Sequence, residues 1–433
     1  MRNLQTLFLL LTILISVGCS KDSTSDDNGS GNPSETPTII ADLQPDVTYQ
    51  TITGFGGANR MWGTKSLTPT EAQKAFGTGA NELGLSLFRV RLSSNKDEWP
   101  IIVEAVKEAN KRNVQVLASP WSPPAALKSN NSDIRGYLLP QNYEAFKDYI
   151  NEFLTFMESE GAKIDVVSIQ NEPDWEPNYE SCDWTADQMI SFLKAPGEIT
   201  GARVAAPESL NFNQAMTNAI LSDAEASAKL DVIAGHIYGS GVAEFPLAEQ
   251  QQKEIWMTEW LLNLGTGNSG AASWSTYSEA RKWTETLEML NTMHESMTKN
   301  WNAFIWWYLQ RYYSFMGDGE QGTTDGAILK RGFAYSHFSK FIRPGFVRVS
   351  INTSKDYLKM TAYKNDSKNV IVVINNFSYE MSNVELNDLG ANTAEVYTTS
   401  ETKTMERTEL TFEDQSTRIN FAPKSITTIV IDK

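Results

Sequence analysis

Between residues 50 and 340 the chain alternates short apolar runs with longer amphipathic ones, and this alternation narrows the fold more than any other feature. Eight runs have strand length: residues 51–54, 85–91, 114–119, 166–170, 203–206, 232–236, 254–258 and 303–307. Near-continuous apolar strands separated by helical segments suit a parallel sheet buried on both faces. The clearest helical segment carries Tyr143, Phe146, Tyr149, Ile150, Phe153, Leu154 and Met157, a spacing that puts one apolar stripe on one helix face. Eight such units predict an α/β fold, a (β/α)8 TIM barrel over residues 50–343.

After Pro344 the pattern changes. Short β-rich pieces at 347–350, 358–363, 370–374, 394–398 and 426–431 are separated by Asn, Asp, Ser and Gly. They predict a side antiparallel β-sandwich domain over residues 344–433. Residues 38–49, opening on a strand-like piece at 38–40, are expected to add an N-terminal strand to it. Residues 20–37 contain no large apolar side chain and are expected to form a disordered tether, roughly 25 Å in root-mean-square span.

Residues 1–19 read as a lipoprotein-type signal peptide. Arg2 precedes an apolar stretch at 7–15, interrupted by Thr12, and Ser16-Val17-Gly18 precede Cys19, the expected lipidation site. The apolar stretch is too short to span a bilayer. Ser20-Lys21-Asp22 and the acidic residues after them resemble the surface-export signal of Bacteroidetes lipoproteins. The expected location is the cell-surface face of an outer membrane, by a lipid anchor, with secretion or the periplasm as alternatives.

A net charge of −16 without a cluster of Lys and Arg argues against a nucleic-acid partner. Cys182 is the one cysteine besides Cys19, so no intrachain disulfide remains once Cys19 is lipidated or removed. The three histidines, at 236, 294 and 337, lack the spacing of a helical metal pair, and neither metal nor cofactor is expected. Gly54-Phe55-Gly56-Gly57 is not followed by Lys-Ser/Thr, so it reads as a tight turn rather than a phosphate loop. Nothing points to obligate assembly, and a monomer is expected.

In parallel barrels the chemistry sits at the C-terminal strand ends. The fourth strand runs into Gln170-Asn171-Glu172-Pro173 and the seventh into Thr258-Glu259-Trp260. Two carboxylates about 5–5.5 Å apart can share one substitution at a sugar's anomeric carbon, one attacking and one protonating the leaving oxygen. Glu172 is the expected acid/base and Glu259 the expected nucleophile. Asn171 can hydrogen-bond a sugar 2-hydroxyl, and Arg89, at the end of the second strand, is the expected charge partner of Glu259. Aromatic side chains at other strand ends suit pyranose faces: Trp121 after the third, Tyr238 after the sixth, and Trp307, Tyr308 and Tyr313 after the eighth.

Taken together, Thr53-Gly54-Phe55-Gly56-Gly57, Ala118-Ser119-Pro120-Trp121-Ser122-Pro123-Pro124, Gln170-Asn171-Glu172-Pro173-Asp174, Trp256-Met257-Thr258-Glu259 and the segment from Lys330 to Gly345 resemble glycoside hydrolase family 30. The likeness covers nearly all of residues 48–433. It implies retention of anomeric configuration, no metal, and a barrel fused to a side β-sandwich. Within the family the chain is similar to the glucuronoxylan-specific endo-β-1,4-xylanases. That likeness implies that Arg311 pairs with the carboxylate of a 4-O-methylglucuronosyl branch on xylan, with Trp307, Tyr308 and Tyr313 as neighbouring contacts. The physics agrees, because a guanidinium matches a planar carboxylate.

Three departures stand out. Leu261 replaces the usual Tyr two residues after the nucleophile, Gln310 replaces a second Arg, and the loop at 263–272 does not align. They leave open whether cleavage depends strictly on the branch. A branch-independent endoxylanase, another family 30 activity (β-1,6-glucanase, β-xylosidase or glucosylceramidase-like), and a non-catalytic surface glycan-binding lipoprotein are the alternatives.

Overall fold

The computed structural model describes residues 38–239, 241–262 and 272–433. The signal peptide, the tether and Cys19 lie outside the described residues. Among those described, no helix is long and apolar enough to cross a membrane.

The chain enters on β1 (Ile39–Thr51) and then builds a closed parallel barrel. Its strands are β2 (Gly54–Ala58), β3 (Leu87–Leu92), β4 (Gln115–Pro120), β5 (Val166–Ser168), β6 (Arg203–Ser209), β7 (Val232–His236), β8 (Glu254–Glu259) and β9 (Ala303–Tyr308). The order around the barrel follows the chain, and β9 closes it against β2. Leu87, Leu117, Val166, Val232, Trp256 and Ile305 fill its interior. The helix at Tyr143–Ser159 buries all seven residues of the predicted stripe.

The first barrel strand differs from the sequence reading. Gly54-Phe55-Gly56-Gly57 is not a turn but lies within β2 itself. The glycines are there for room: a Cβ on Gly56 would stand 2.2 Å from the Leu87 carbonyl oxygen, and one on Gly57 2.7 Å from Leu309 Cβ. Any side chain at Gly56 would force β2 and β3 apart. β3 ends at Leu92, one residue past its predicted run, and Arg89 is its third residue rather than its tip.

The second body is one nine-stranded sheet. Its strands are β1, β10 (Val347–Thr353), β11 (Lys359–Lys364), β12 (Lys368–Asn375), β13 (Met381–Asn387), β14 (Thr393–Ser400), β15 (Glu406–Thr411), β16 (Thr417–Phe421) and β17 (Ser425–Asp432), in the order β15-β14-β17-β12-β11-β10-β1-β13-β16. Inward-facing residues such as Leu43, Val349, Ile371, Val384, Val396, Phe421 and Ile429 share one core, so the sheet folds over on itself. β1 is far longer than the piece at 38–40, and it pairs antiparallel with β10 but parallel with β13. β13, β15 and β16 are not among the predicted strands. β15 is an edge strand with almost every residue exposed, and such charged edges read as loops.

The segment at Lys330–Ser339 is a helix that ties the two bodies together. The Tyr335 hydroxyl bonds the backbone of Gly56 and Phe304, while the buried His337 ring lies 2.8 Å from the hydroxyls of both Thr428 and Thr399. This part of the family likeness is structural.

Candidate active site

The C-terminal ends of β5 and β8 bring Glu172 and Glu259 face to face. Glu259 is the last residue of β8. Glu172 lies four residues beyond β5, with φ +47, a left-handed backbone that costs a residue bearing Cβ on the order of 1 kcal/mol. Cross-strand bonds hold it there: Asn171 N–H donates to the Pro120 carbonyl (2.8 Å) and Glu172 N–H to the Glu208 carbonyl (3.0 Å). Such a held strain is common where a side chain must be aimed. Both carboxyls are nearly buried, and an oxygen of each lies within 4.8 Å of the other and of a His236 ring nitrogen.

Arg89 is the centre of the charge lattice beneath them. Its fully buried guanidinium donates to Glu259 Oε2 (2.6 Å), Asn171 Oδ1 (2.6 Å) and Ser119 Oγ (3.1 Å), and pairs with Glu208 at 2.9 Å. With Oδ1 thus engaged, the Asn171 amide N–H groups are the ones available to a sugar hydroxyl. The second oxygen of Glu259 accepts from the Tyr238 hydroxyl at 2.8 Å. Burial raises the Tyr238 phenol well above its ordinary range, so it stays a donor. His236 Nδ1 lies 2.9 Å from Glu172 Oε1, and its other nitrogen 3.7 Å from Glu208.

Burial alone would lower the His236 pKa, but Glu259, Glu172 and Glu208 outweigh it and lift it to about 9. Burial also works to raise Glu208, yet Arg89 and His236 hold it down at about 2. Glu259 is pushed up, first by burial and further by Glu172, against the pull of His236 and Arg89. Two carboxyls this close share one proton more readily than they carry two charges. Glu259 accepts donors on both oxygens, from Arg89 Nη1 and from the Tyr238 hydroxyl.

Glu172, His236 and Glu259 also offer ligand atoms close enough for a metal ion. Their chemistry argues against that use. Their donor atoms are engaged with one another, with Tyr238 and with the cationic Arg89, and a protonated imidazole offers no lone pair.

A cleft of about 790 Å³ opens above the pair, lined by Trp121, Tyr238 and Trp307 and by Trp62, Trp175 and Tyr179. Trp62 packs edge-on against Trp121 at 5.4 Å and Trp307 at 6.5 Å. Trp121 is nearly buried and lies over Arg89, 4.9 Å from ring centre to guanidinium. Leu261 lines the cleft where the departure from the family places it; residues 263–271 lie outside the described residues.

Tyr308, Arg311 and Tyr313 are set back. Tyr308 stacks on Trp307 at 4.2 Å, and Tyr313 is 4 % exposed. Arg311 does not line the cleft among the described residues; its Nη1 binds Asp318 (2.9 Å) and Glu320 (3.1 Å).

Several residues of the site escaped the sequence reading. Glu208 was missed because β6 runs to Ser209, three residues past its predicted end, and a strand-end carboxylate was the available signal. His236 stood at a strand end with no role attached. Trp62, Trp175 and Tyr179 come from loops, and each is over 40 % exposed, which marks them only once the fold is known.

A parallel barrel whose strands deliver two facing carboxyls to one aromatic cleft is the arrangement of a glycoside hydrolase. Residues 74–312 match the Glycosyl hydrolase family 30 TIM-barrel domain. Glucuronoxylanase XynC of Bacillus subtilis (strain 168) is 34% identical over 396 residues, covering 89% of this chain and 90% of the relative. Putative glucosylceramidase 1 of Caenorhabditis elegans is 23% identical, over 82% of this chain and 72% of the relative. Among solved structures, the family 30 subfamily 8 xylanase Xyn30A of Clostridium acetobutylicum superimposes with a TM-score of 0.80 at 30% identity, over 91% of this chain and all (100%) of that one. A family 30 endoxylanase of Clostridium papyrosolvens C71 gives 0.78 at 29%, with coverage of 91% and 100%. The chain belongs to glycoside hydrolase family 30.

Proposed function

We propose that the protein is a retaining, endo-acting xylanase that cleaves β-1,4-xylosidic bonds by double displacement. The observation that carries the mechanism is the approach of the Glu172 and Glu259 carboxyls to within 4.8 Å, close to the separation of about 5–5.5 Å in retaining enzymes. Ionised Glu259, held by Arg89 and Tyr238, attacks the anomeric carbon while Glu172 gives its proton to the leaving oxygen. Glu172, now a carboxylate beside His236, then takes a proton from the water that releases the sugar from Glu259. The resemblance to xylanases supplies the substrate, and the aromatic cleft suits the C–H faces of a xylan chain.

We further infer that Arg311 recognises a glucuronic acid branch, as the likeness to glucuronoxylanases implies. Its guanidinium is partly exposed, 29% by side chain, at the exit of the strand that carries Trp307. A branch-independent endoxylanase is the second reading, favoured by the carboxylates already on Arg311. Mass analysis of glucuronoxylan products tests both: one acidic branch per product at a fixed distance from the reducing end supports recognition, and a random distribution sinks it. A Cys19 lipid anchor presenting the monomeric enzyme at a cell surface completes the proposal. Radiolabelled palmitate incorporation lost in Cys19→Ala is the check.

A further inference from the structure

The Arg311 cluster contains its own stand-in for a substrate carboxylate. Asp318 is fully buried, lies 2.9 Å from Arg311 Nη1 and 3.5 Å from Arg60 Nη2, and so anchors both guanidinium groups from below. Glu320 is different. Its side chain is 56% exposed, yet it reaches back to the same Arg311 nitrogen at 3.1 Å. The turn between them is tied: Glu320 N–H donates to Asp318 Oδ1, and Thr323 donates to the Glu320 carbonyl through both its backbone and its hydroxyl. Gly319 at φ +82 and Gly322 at φ +83 take the left-handed corners of that turn. Arg60, Arg311, Asp318 and Glu320 sum to zero charge, and loss of Glu320 alone leaves +1.

We propose that Glu320 is a specificity-determining residue, an internal competitor that a uronic acid carboxylate on the substrate must displace from Arg311. This rests on the reading of Arg311 given above. A buried partner such as Asp318 positions the guanidinium and cannot leave. An exposed partner on a surface turn swings away at little cost, because such ion pairs are weak in water. The outcome is a damped preference: branched xylan is accepted, and unbranched xylan is not excluded by an unpaired cation.

The experiment compares kcat/KM on glucuronoxylan with kcat/KM on enzymatically debranched xylan, and reads the ratio of the two, for the full chain and for Glu320→Gln, Arg311→Ala and the double variant. Glu320→Gln should raise the ratio about two- to fivefold, through KM on the branched substrate, the range expected for removing one exposed ion pair. The double variant should match Arg311→Ala, since the competitor acts through that guanidinium. A ratio unchanged or lowered by Glu320→Gln, with Arg311→Ala still lowering it, overturns the competitor while the branch reading stands. A ratio that Arg311→Ala does not move overturns the branch reading itself. Glu320 is exposed, so its substitution leaves the fold intact.

Discussion

Arg89 and Arg311 each pair with two carboxylates, one beneath the cleft and one on the loop leaving β9. Arg89 is wholly buried and meets Glu208, Glu259, Asn171 and Ser119 with its donors. Arg311 keeps nearly a third of its side chain in water and shares one nitrogen between Asp318 and Glu320. The residue type is the same, and the solvent decides the task. Out of water, each charge depends on its neighbours and losing one strands the rest. In water, a lost partner is replaced by solvent, so the group can release one anion for another.

The largest effects belong beneath the cleft. Glu259→Gln should leave no measurable turnover of xylan, and unimpaired turnover would overturn the catalytic reading altogether. Glu172→Gln should cost about 10²–10⁴-fold in kcat, the usual worth of a positioned proton donor. Arg89→Met should destabilise the fold by about 3–5 kcal/mol in urea unfolding, because two buried carboxylates lose their cation. A loss under about 1 kcal/mol would erase the contrast with Arg311.

Next comes pH. The His236 pKa is raised from 6.5 to about 9, so its contribution is full below 6.5 and is lost as pH rises toward 9. The Glu208 pKa is lowered from 4.5 to about 2, so its contribution is full above 4.5 and is lost as pH falls toward 2. Thermal unfolding should therefore be most resistant between pH 4.5 and 6.5. Glu208→Gln should also lower the His236 pKa, read by ring-proton NMR; an unmoved titration would show the two are uncoupled. A smaller effect lies at the solvent-facing end, where Arg311→Ala should lower activity on glucuronoxylan relative to debranched xylan roughly tenfold, the loss of one charge-assisted contact.

Much of the fold was readable. The period of the 143–159 stripe and the spacing of the strand runs reflect forces that act through local sequence, and all eight barrel strands overlap or adjoin a predicted run. The errors fall where tertiary contact overrides local pattern. Gly54 to Gly57 look like a turn because glycine is a turn residue, but they are a strand because Leu87 and Leu309 leave no room for a side chain. β15 looks like a loop because its side chains face water on a sheet edge.

The candidate site divides the same way. Glu172, Glu259, Asn171 and Arg89 were legible because barrel order fixes which strand ends meet. The pairing of His236 with Glu172 was not, because partners 64 positions apart leave no local pattern, and Glu208 was hidden by a strand that runs three residues past its predicted end.

The sequence by itself determined the barrel, the side sheet and the two facing carboxyls, since repeat order and hydrophobic period are properties of the chain. The tertiary structure decided the rest: which nitrogen of Arg89 holds which carboxylate, the charged state of His236, and the partners of Arg311. Those depend on burial and on distances of a few ångströms, and electrostatic strength changes with both far more than with residue type.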